Sequence, residues 1–542
     1  MPRPDAVIRR ISGPSVGGRA TLRGLASLVL AVLAPTAAGW GQPPSPSDTL
    51  AQRVDPYVEK SRIVVMTDIA NEPDDQMSLV RFLVYANQYD VEGLIATTST
   101  WMRSKVRPDV IETLLDAYAQ VQPNLNRHEP GFPTADALRA LVASGQTGFG
   151  MAAVGADKRS AGADLILRAA DKPDPRPLWV LAWGGANTLA QALLQARAAR
   201  TPAELDTLIA RLRVYAISDQ DDAGPWIRKE FPSLHYIARP SPPDGAEYYL
   251  ATWTGISGDR FYKNAPGADF TTFEDAWINQ HVRSKGPLGK LYPFPCCIHE
   301  GDTPAFLGLI NNGLASFMNP AYGGWGGRYV WRQPYGESRP LWTQGGDSYP
   351  GRDNSKDTVA GADGRPYTSD LATIWRWRTA FQHDFAARMD WTVKDVKAAN
   401  HNPLVVVNGQ PGKGPVTIDA KVDVPIALDA TGTRDPDGHP VTYRWFFYPE
   451  AGTGIPGRPV SRRGPRPPGG EVGAGGIPSA PAGGPREPPP RIVIERAADA
   501  RATVVPRVAG TAHVILAVED AGTPSLTSYR RVILNIGPAA TP

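Results

Sequence analysis

RIVVMTDIANEPDDQMSL, Arg62 to Leu79, decides the reading of this chain. Ile63, Val64, Val65 and Met66 form a short apolar run suited to a strand buried on both faces. Asp68, Asn71, Glu72, Asp74 and Asp75 follow within eight residues. Met77, Leu79, Val80, Leu83 and Val84 are then spaced as one face of a helix. Carboxylates therefore gather where a strand ends and a helix begins, the place where open α/β sheets hold their ligands. One or two acids there would be an N-cap and first-turn preference. Four acids this close repel one another unless something positive sits among them. A hard cation held by oxygens, Ca2+ above all, meets that need.

Outward from this stretch, residues 62–238 alternate strand-like and helix-like runs. Strands are expected at Val91–Thr97, Leu178–Ala182, Val214–Ile217 and Leu234–Ile237. Helices are expected at Val106–Gln120, Ala161–Ala170, Leu189–Ala198, Leu205–Leu212 and Trp226–Phe231. The alternation implies an α/β fold, a mostly parallel sheet with helices on both faces. Several strands run into polar or Gly-rich clusters: Thr97 to Trp101, Trp183 to Thr188, and Ser218 to Asp222. Residues 240–390 are less regular and aromatic-rich, with helices expected over Pro304–Leu314 and Asp370–Met389. From Pro403 the pattern becomes β, with alternating residues and frequent turns, as in an all-β sandwich. Residues 451–490 hold 22 Gly or Pro in 40 positions and read as a disordered insertion. Asp435-Pro-Asp-Gly reads as a turn, with calcium binding the weaker alternative.

The 542 residues, 42% hydrophobic and 20% charged, are of ordinary globular composition and long enough for two domains. The net charge of +3 is concentrated in residues 1–41, which carry +4, so the basic balance gives no argument for a nucleic acid polymer as partner. Residues 1–41 read as a signal peptide: an Arg-rich start, the apolar core Leu25–Leu33, then small residues. That core is too short for a stable membrane span, and export to periplasm or medium is expected. Residues 42–60 form a linker, 61–400 the α/β domain and 401–540 the β-sandwich. A fragment of 60–400 is expected to fold alone. Cys296 and Cys297, the only cysteines, are adjacent and form no disulfide framework.

TDIANEPDDQ, GLIATTS, the turn Gly184-Gly185-Ala-Asn-Thr188, SDQDDAGPWIR and EGDTPAFL together resemble the nucleoside hydrolases. They resemble more closely the branch described as cellulose-binding proteins, a nucleoside-hydrolase-like domain followed by an immunoglobulin-like one. The resemblance implies one Ca2+ at the strand ends. Asp75 and Asp302 would be carboxylate ligands, Asn187 a backbone-carbonyl ligand, and Asp68 both a ligand and the general base. Asp74 would hold a sugar hydroxyl. The chain departs from the family at two points: five residues separate Asp68 from Asp74, where the family has three, and Gly301 stands where the family has a His. Asn71 and Glu72 are candidates to take over part of the turn's role, and His299 and Glu300 lie just upstream of Gly301. Asp219 and Gln220 are further candidates for sugar hydroxyls, while Asp221 or Asp222 serves equally as a helix cap.

Thr98, Trp101 and Trp183 complete the candidate substrate contacts, since aromatic faces stack on the apolar side of sugar rings. Trp375 and Trp377 read as core. The expected function is a secreted, saccharide-directed protein, a Ca2+-dependent hydrolase of glycosidic or N-glycosidic bonds. The alternative is a non-catalytic cellulose- or polysaccharide-binding protein on the same fold. The ligand is a saccharide in either case, and the resemblance leaves a homo-oligomer open.

Overall fold

The computed structural model describes residues 50–242, 245, 247–263, 265–334, 336–343, 355–452 and 491–539. The signal-peptide reading of 1–41 and nearly all of the insertion at 451–490 lie outside the described residues.

Strands β1 (Ser61–Thr67), β2 (Tyr89–Ala96), β3 (Val142–Ser144), β4 (Leu178–Ala182), β5 (Leu212–Ala216), β6 (His235–Ile237), β7 (Val330–Arg332) and β8 (Leu341–Thr343) form one sheet. Their order is β3-β2-β1-β4-β5-β6-β8-β7, and every pairing is parallel except β7 with β8. The apolar run of β1 is central because both its faces are covered. Ile63 and Val65 enter one core, against the helices Pro73–Val84, Pro108–His128 and Arg378–Trp391. Val64 and Met66 enter the other, against Ala161–Ala170, Asn187–Ala199, Pro202–Arg211 and Ala223–Glu230. This is the two-residue period of a strand sandwiched between helix layers.

The topology fixes where a ligand can sit. From β1 the chain runs outward through β2 and β3, then returns to lay β4 on the other side of β1. It continues outward the opposite way through β5 and β6. The strand order therefore reverses between β1 and β4, and a crevice opens at their C-terminal ends. Asp68 follows β1 there, and Gly184-Gly185 follow β4.

Two helix expectations change. Pro304–Leu314 is helical only over Pro304–Leu307. Gly308 follows at once, and Gly313 takes a left-handed φ of +95°. Asp370–Met389 is split into Ala372–Trp375 and Arg378–Trp391.

The C-terminal part is a sandwich. One sheet comprises Val416–Lys421, Thr527–Gly537, Gly510–Asp520 and Val441–Phe447. The other comprises Ile426–Asp429, Arg501–Pro506 and Ile492–Glu495. Trp445, Val514, Leu516, Val532 and Leu534 are among the side chains that fill the space between them. The outer face of the first sheet is also covered. Ile515, Ala517, Tyr529 and Tyr448 belong to the same core as β1 and the helix Arg378–Trp391. The backbone N–H groups of Tyr529 and Arg531 donate to the carbonyls of Asn312 and Gly313. This shared core runs against the expectation that 60–400 folds alone. Among the described residues, no helix is long and apolar enough to cross a membrane.

Candidate functional site

A cavity of about 220 Å3 opens at the β1/β4 crevice. Asp68, Asn71, Glu72, Asp74, Asp75 and Asp302 are on its wall, with Gln220 and Trp101. Among the described residues lining it, five carry carboxylates and none is Lys, Arg or His. A larger cavity, about 310 Å3, lies where the sandwich meets the α/β domain, but it has no such cluster.

The turn after β1 brings the acids together. The five-residue spacer bulges at Ala70, whose φ of +74° is left-handed and uncommon for a residue with a Cβ. The Thr67 hydroxyl accepts from the Ile69 N–H at 3.1 Å and donates a short bond to Asp75. Thr67 thereby ties the strand end to the helix start. Asp74 and Asp75 enter at the first turn of Pro73–Val84, where the helix N-terminus favours negative charge. Asp302 arrives from the loop before Pro304–Leu307, after Glu300 at a second left-handed φ of +53°. Each of Asp74, Asp75 and Asp302 offers an oxygen within 4.8 Å of the others'.

Two glycines are required by close approach. A Cβ on Gly184 would lie 2.8 Å from Asp68 Oδ1, so the turn after β4 admits the Asp68 carboxylate only because that residue is bare. A Cβ on Gly301 would lie 2.6 Å from Asp74 Oδ2. The departure from a histidine at 301 thus has a physical reason: Asp74 occupies that space.

The carboxyls of the cluster face no basic side chain among the described wall residues, and they are raised above their ordinary range. Burial first, then the charges of its neighbours, raises every member. The Asp68 carboxyl is pushed up to about 6 and that of Asp74 to about 7. Burial and the surrounding carboxylates hold Asp75 and Asp302 well above the ordinary range. The Asp68 and Asp75 carboxyls act on each other: their interaction lowers Asp68 against its burial and further raises Asp75. Asp302 Oδ2 is buried with no hydrogen-bond partner. An all-oxygen donor set of this charge, with an orphaned carboxylate oxygen, fits a hard divalent cation.

These shifts set a pH dependence. A carboxyl raised in the fold keeps its proton to higher pH there than in the unfolded chain. It therefore favours the fold at low pH, and that contribution is lost as pH rises from the ordinary 3.8 through about 7. In chelator, the melting temperature is expected to fall by several degrees between about pH 5 and about pH 7.5. Asp302→Asn should flatten that fall. Equal slopes for the two proteins by scanning calorimetry would remove this source.

Other sequence-derived candidates are engaged elsewhere. Asn187, expected to offer its backbone carbonyl, is not among the residues lining the pocket; its side-chain amide, which that expectation did not use, donates to Thr98 Oγ1 (3.2 Å) and the Gly148 carbonyl (2.8 Å). Thr98 donates to the same carbonyl. Trp183 is fully buried against Phe82 and Phe306, so its ring is core and not a stacking surface. Asp219 is spent in a buried two-point ion pair with Arg228, at 2.8 Å for each oxygen. Glu300 is completely buried, paired with Arg81 and hydrogen-bonded by Tyr292. His299 packs its ring on Phe273, and its backbone exchanges bonds with Ser257. Asp221 accepts from the Ala223 and Asn187 N–H groups and so joins the starts of two helices.

Of the aromatics named from sequence, Trp101 is on the rim, 48% exposed. Sequence reasoning missed Tyr248, Trp253, Phe261 and Tyr262, which complete the wall from short helical turns with no periodic pattern. Their density in so short a stretch was the available signal.

A mostly parallel sheet with a carboxylate cluster at its switch point defines a nucleoside hydrolase-like α/β protein. Residues 62–329 match the family described as cellulose-binding Sde182, nucleoside hydrolase-like domain, and residues 425–536 match the C-terminal domain of cellulose-binding protein Sde0182. A nucleoside hydrolase-related protein from Saccharophagus degradans, described as associated with carbohydrate metabolism, is 34% identical with a TM-score of 0.68. That match covers 88% of this chain and 100% of that one. The chain belongs to this cellulose-binding, nucleoside hydrolase-like family. Two weaker likenesses carry no argument: a PKD domain from KIAA 1837 protein (19% identical, TM-score 0.13, 24% of this chain and 86% of that one) and the effector protein XOO4466 (11%, 0.27, 53% and 88%). No curated protein matches the chain.

Proposed function

We propose that this chain is an exported, Ca2+-dependent hydrolase that takes the terminal ring of a saccharide into the β1/β4 pocket. The observation that carries the reading is the wall of five carboxylates with no basic side chain among its described residues. The cavity of about 220 Å3 is below the range of about 300–1,000 Å3 typical of drug-sized ligands, which favours one ring over a length of chain. Membership of a family described as cellulose-binding supports a saccharide ligand and an extracellular setting.

Asp75, Asp302 and Asp74 are the residues that would hold the cation, with Asp68 beside them. When bound, it supplies a fixed positive charge that anchors oxygen groups and acts as a Lewis acid. Asp68, buried against Gly184, would take a proton from the attacking water. Glu72, raised by burial, is the acid on the wall suited to protonate the leaving oxygen. Asn71 and Gln220 offer amides to ring hydroxyls, and Trp101 and Phe261 offer exposed faces to the apolar side of the ring. Positive charge developing on the ring is stabilised by the surrounding carboxylates.

The test is hydrolysis of a panel of nucleosides and oligosaccharides, with Ca2+ and with chelator. Chelator-sensitive sugar release is expected. A second reading, a non-catalytic binding protein, is favoured by the absence of any imidazole from the described wall. No turnover together with chelator-sensitive retention on insoluble cellulose would establish it instead.

A further inference from the structure

A second polar cluster lies in the sandwich, in the turn Asp435-Pro-Asp-Gly-His439. The Asp435 side chain has no exposed surface. Its Oδ1 accepts from the N–H groups of Asp437 (3.0 Å) and His439 (2.9 Å). Its Oδ2 is buried and has no hydrogen-bond partner. Leaving a carboxylate oxygen in that state is costly unless something positive meets it. His439 does not supply the missing bond. Its Nδ1 is 3.4 Å from the already engaged Oδ1, long for a hydrogen bond, and is itself without a hydrogen-bond partner. Asp435, Asp437 and His439 each offer a ligand atom, and these atoms lie within 4.8 Å of one another. A Cβ placed on Gly438 would meet nothing within 4 Å, so the turn is open on that side for an ion and its waters.

We propose that Asp435, Asp437 and His439 hold a divalent transition-metal ion of the Mn2+ or Zn2+ kind. Two carboxylates and one imidazole nitrogen suit such an ion, whereas Ca2+ takes six to eight oxygens. The position gives the ion a structural task. Asp437 accepts from the His401 N–H at 2.7 Å and contacts its ring Nδ1 at 2.9 Å. His401 stacks on Trp391, and its Nε2 is 3.0 Å from His128 Nδ1. An ion at the turn therefore fixes the stretch of chain that joins the α/β domain to the sandwich. It does so independently of the strand-end acids.

The test uses the full chain carrying Asp75→Asn and Asp302→Asn, which silence the strand-end cluster. The stripped protein is titrated with Mn2+, Zn2+ and Ca2+ by calorimetry. One equivalent of Mn2+ or Zn2+ is expected, with affinity reduced at least about tenfold by Asp435→Asn. His439→Ala, at a partly exposed side chain, should weaken binding similarly and gives a readout if Asp435→Asn fails to fold. No saturable Mn2+ or Zn2+ binding, binding that neither variant changes, or preferential Ca2+ binding insensitive to His439→Ala would overturn the assignment.

Discussion

A fragment ending at residue 400 is expected to lose its native fold, because the α/β core is completed by the sandwich. Trp377 meets Tyr529, Tyr448 and Phe446 edge-on or tilted at 5.5 to 6.4 Å, and Trp325 meets Tyr529 at 6.4 Å. Fully burying a large apolar side chain contributes about 1.5–3 kcal/mol. Exposing two tryptophans and their neighbours therefore removes much of a stability of about 5–15 kcal/mol. Polar losses add to this. Arg531, fully buried, donates to the carbonyls of Leu314, Tyr322 and Gly323. Tyr448 donates to Asp357 at 2.6 Å, where Arg328 and Arg376 also converge. Removing the sandwich leaves the carbonyls of Leu314, Tyr322 and Gly323 without Arg531, and Asp357 without the Tyr448 hydroxyl. The fragment should be insoluble, or soluble without near-UV circular dichroism or a cooperative melt. A monodisperse fragment with a cooperative transition would show that the two parts only abut.

Asp75→Asn is expected to move two observables in opposite directions. Asp75 offers an oxygen within 4.8 Å of those of Asp74 and Asp302, and is the one acid of the three tied to the strand end through Thr67. The amide removes a charged ligand, so Ca2+ affinity should fall on the order of 100-fold. The same change removes one of several mutually repelling carboxylates, and the Asn carbonyl can still accept from Thr67. In chelator at neutral pH the variant should therefore melt no lower than the parent, and higher if repulsion dominates. Misfolding would lower both affinity and melting temperature, so the pair of results is diagnostic. Unchanged Ca2+ content by elemental analysis would remove the site as described.

The legible parts of the sequence were those governed by neighbours along the chain. The run Ile63–Met66 declared a doubly buried strand, and alternate residues do enter two different cores. The acids of Asp68 to Asp75 declared a strand-end cluster because their spacing alone brings them together. What stayed hidden depends on partners far away. Glu300 is neutralised by Arg81, 219 positions earlier, and nothing local distinguishes it from a ligand. Asp219 and Gln220 are adjacent, yet Arg228 takes the first while the second lines the pocket. Trp101 and Trp183 both follow strands, but only the packing of Phe82 and Phe306 decides that Trp183 is core. The helix expected beyond Leu307 failed for a local reason, the glycines and Asn311-Asn312 that follow.

A cation and a sugar ring are expected to share the crevice between β1 and β4. The most direct test is calorimetric titration of the full chain with cellobiose and longer cello-oligosaccharides, in Ca2+ and after chelation. Saturable binding in Ca2+ is predicted, weakened at least about tenfold by chelator and by Asp302→Asn. Binding of the same affinity in chelator, or untouched by Asp302→Asn, would contradict the account and place the saccharide elsewhere on the molecule.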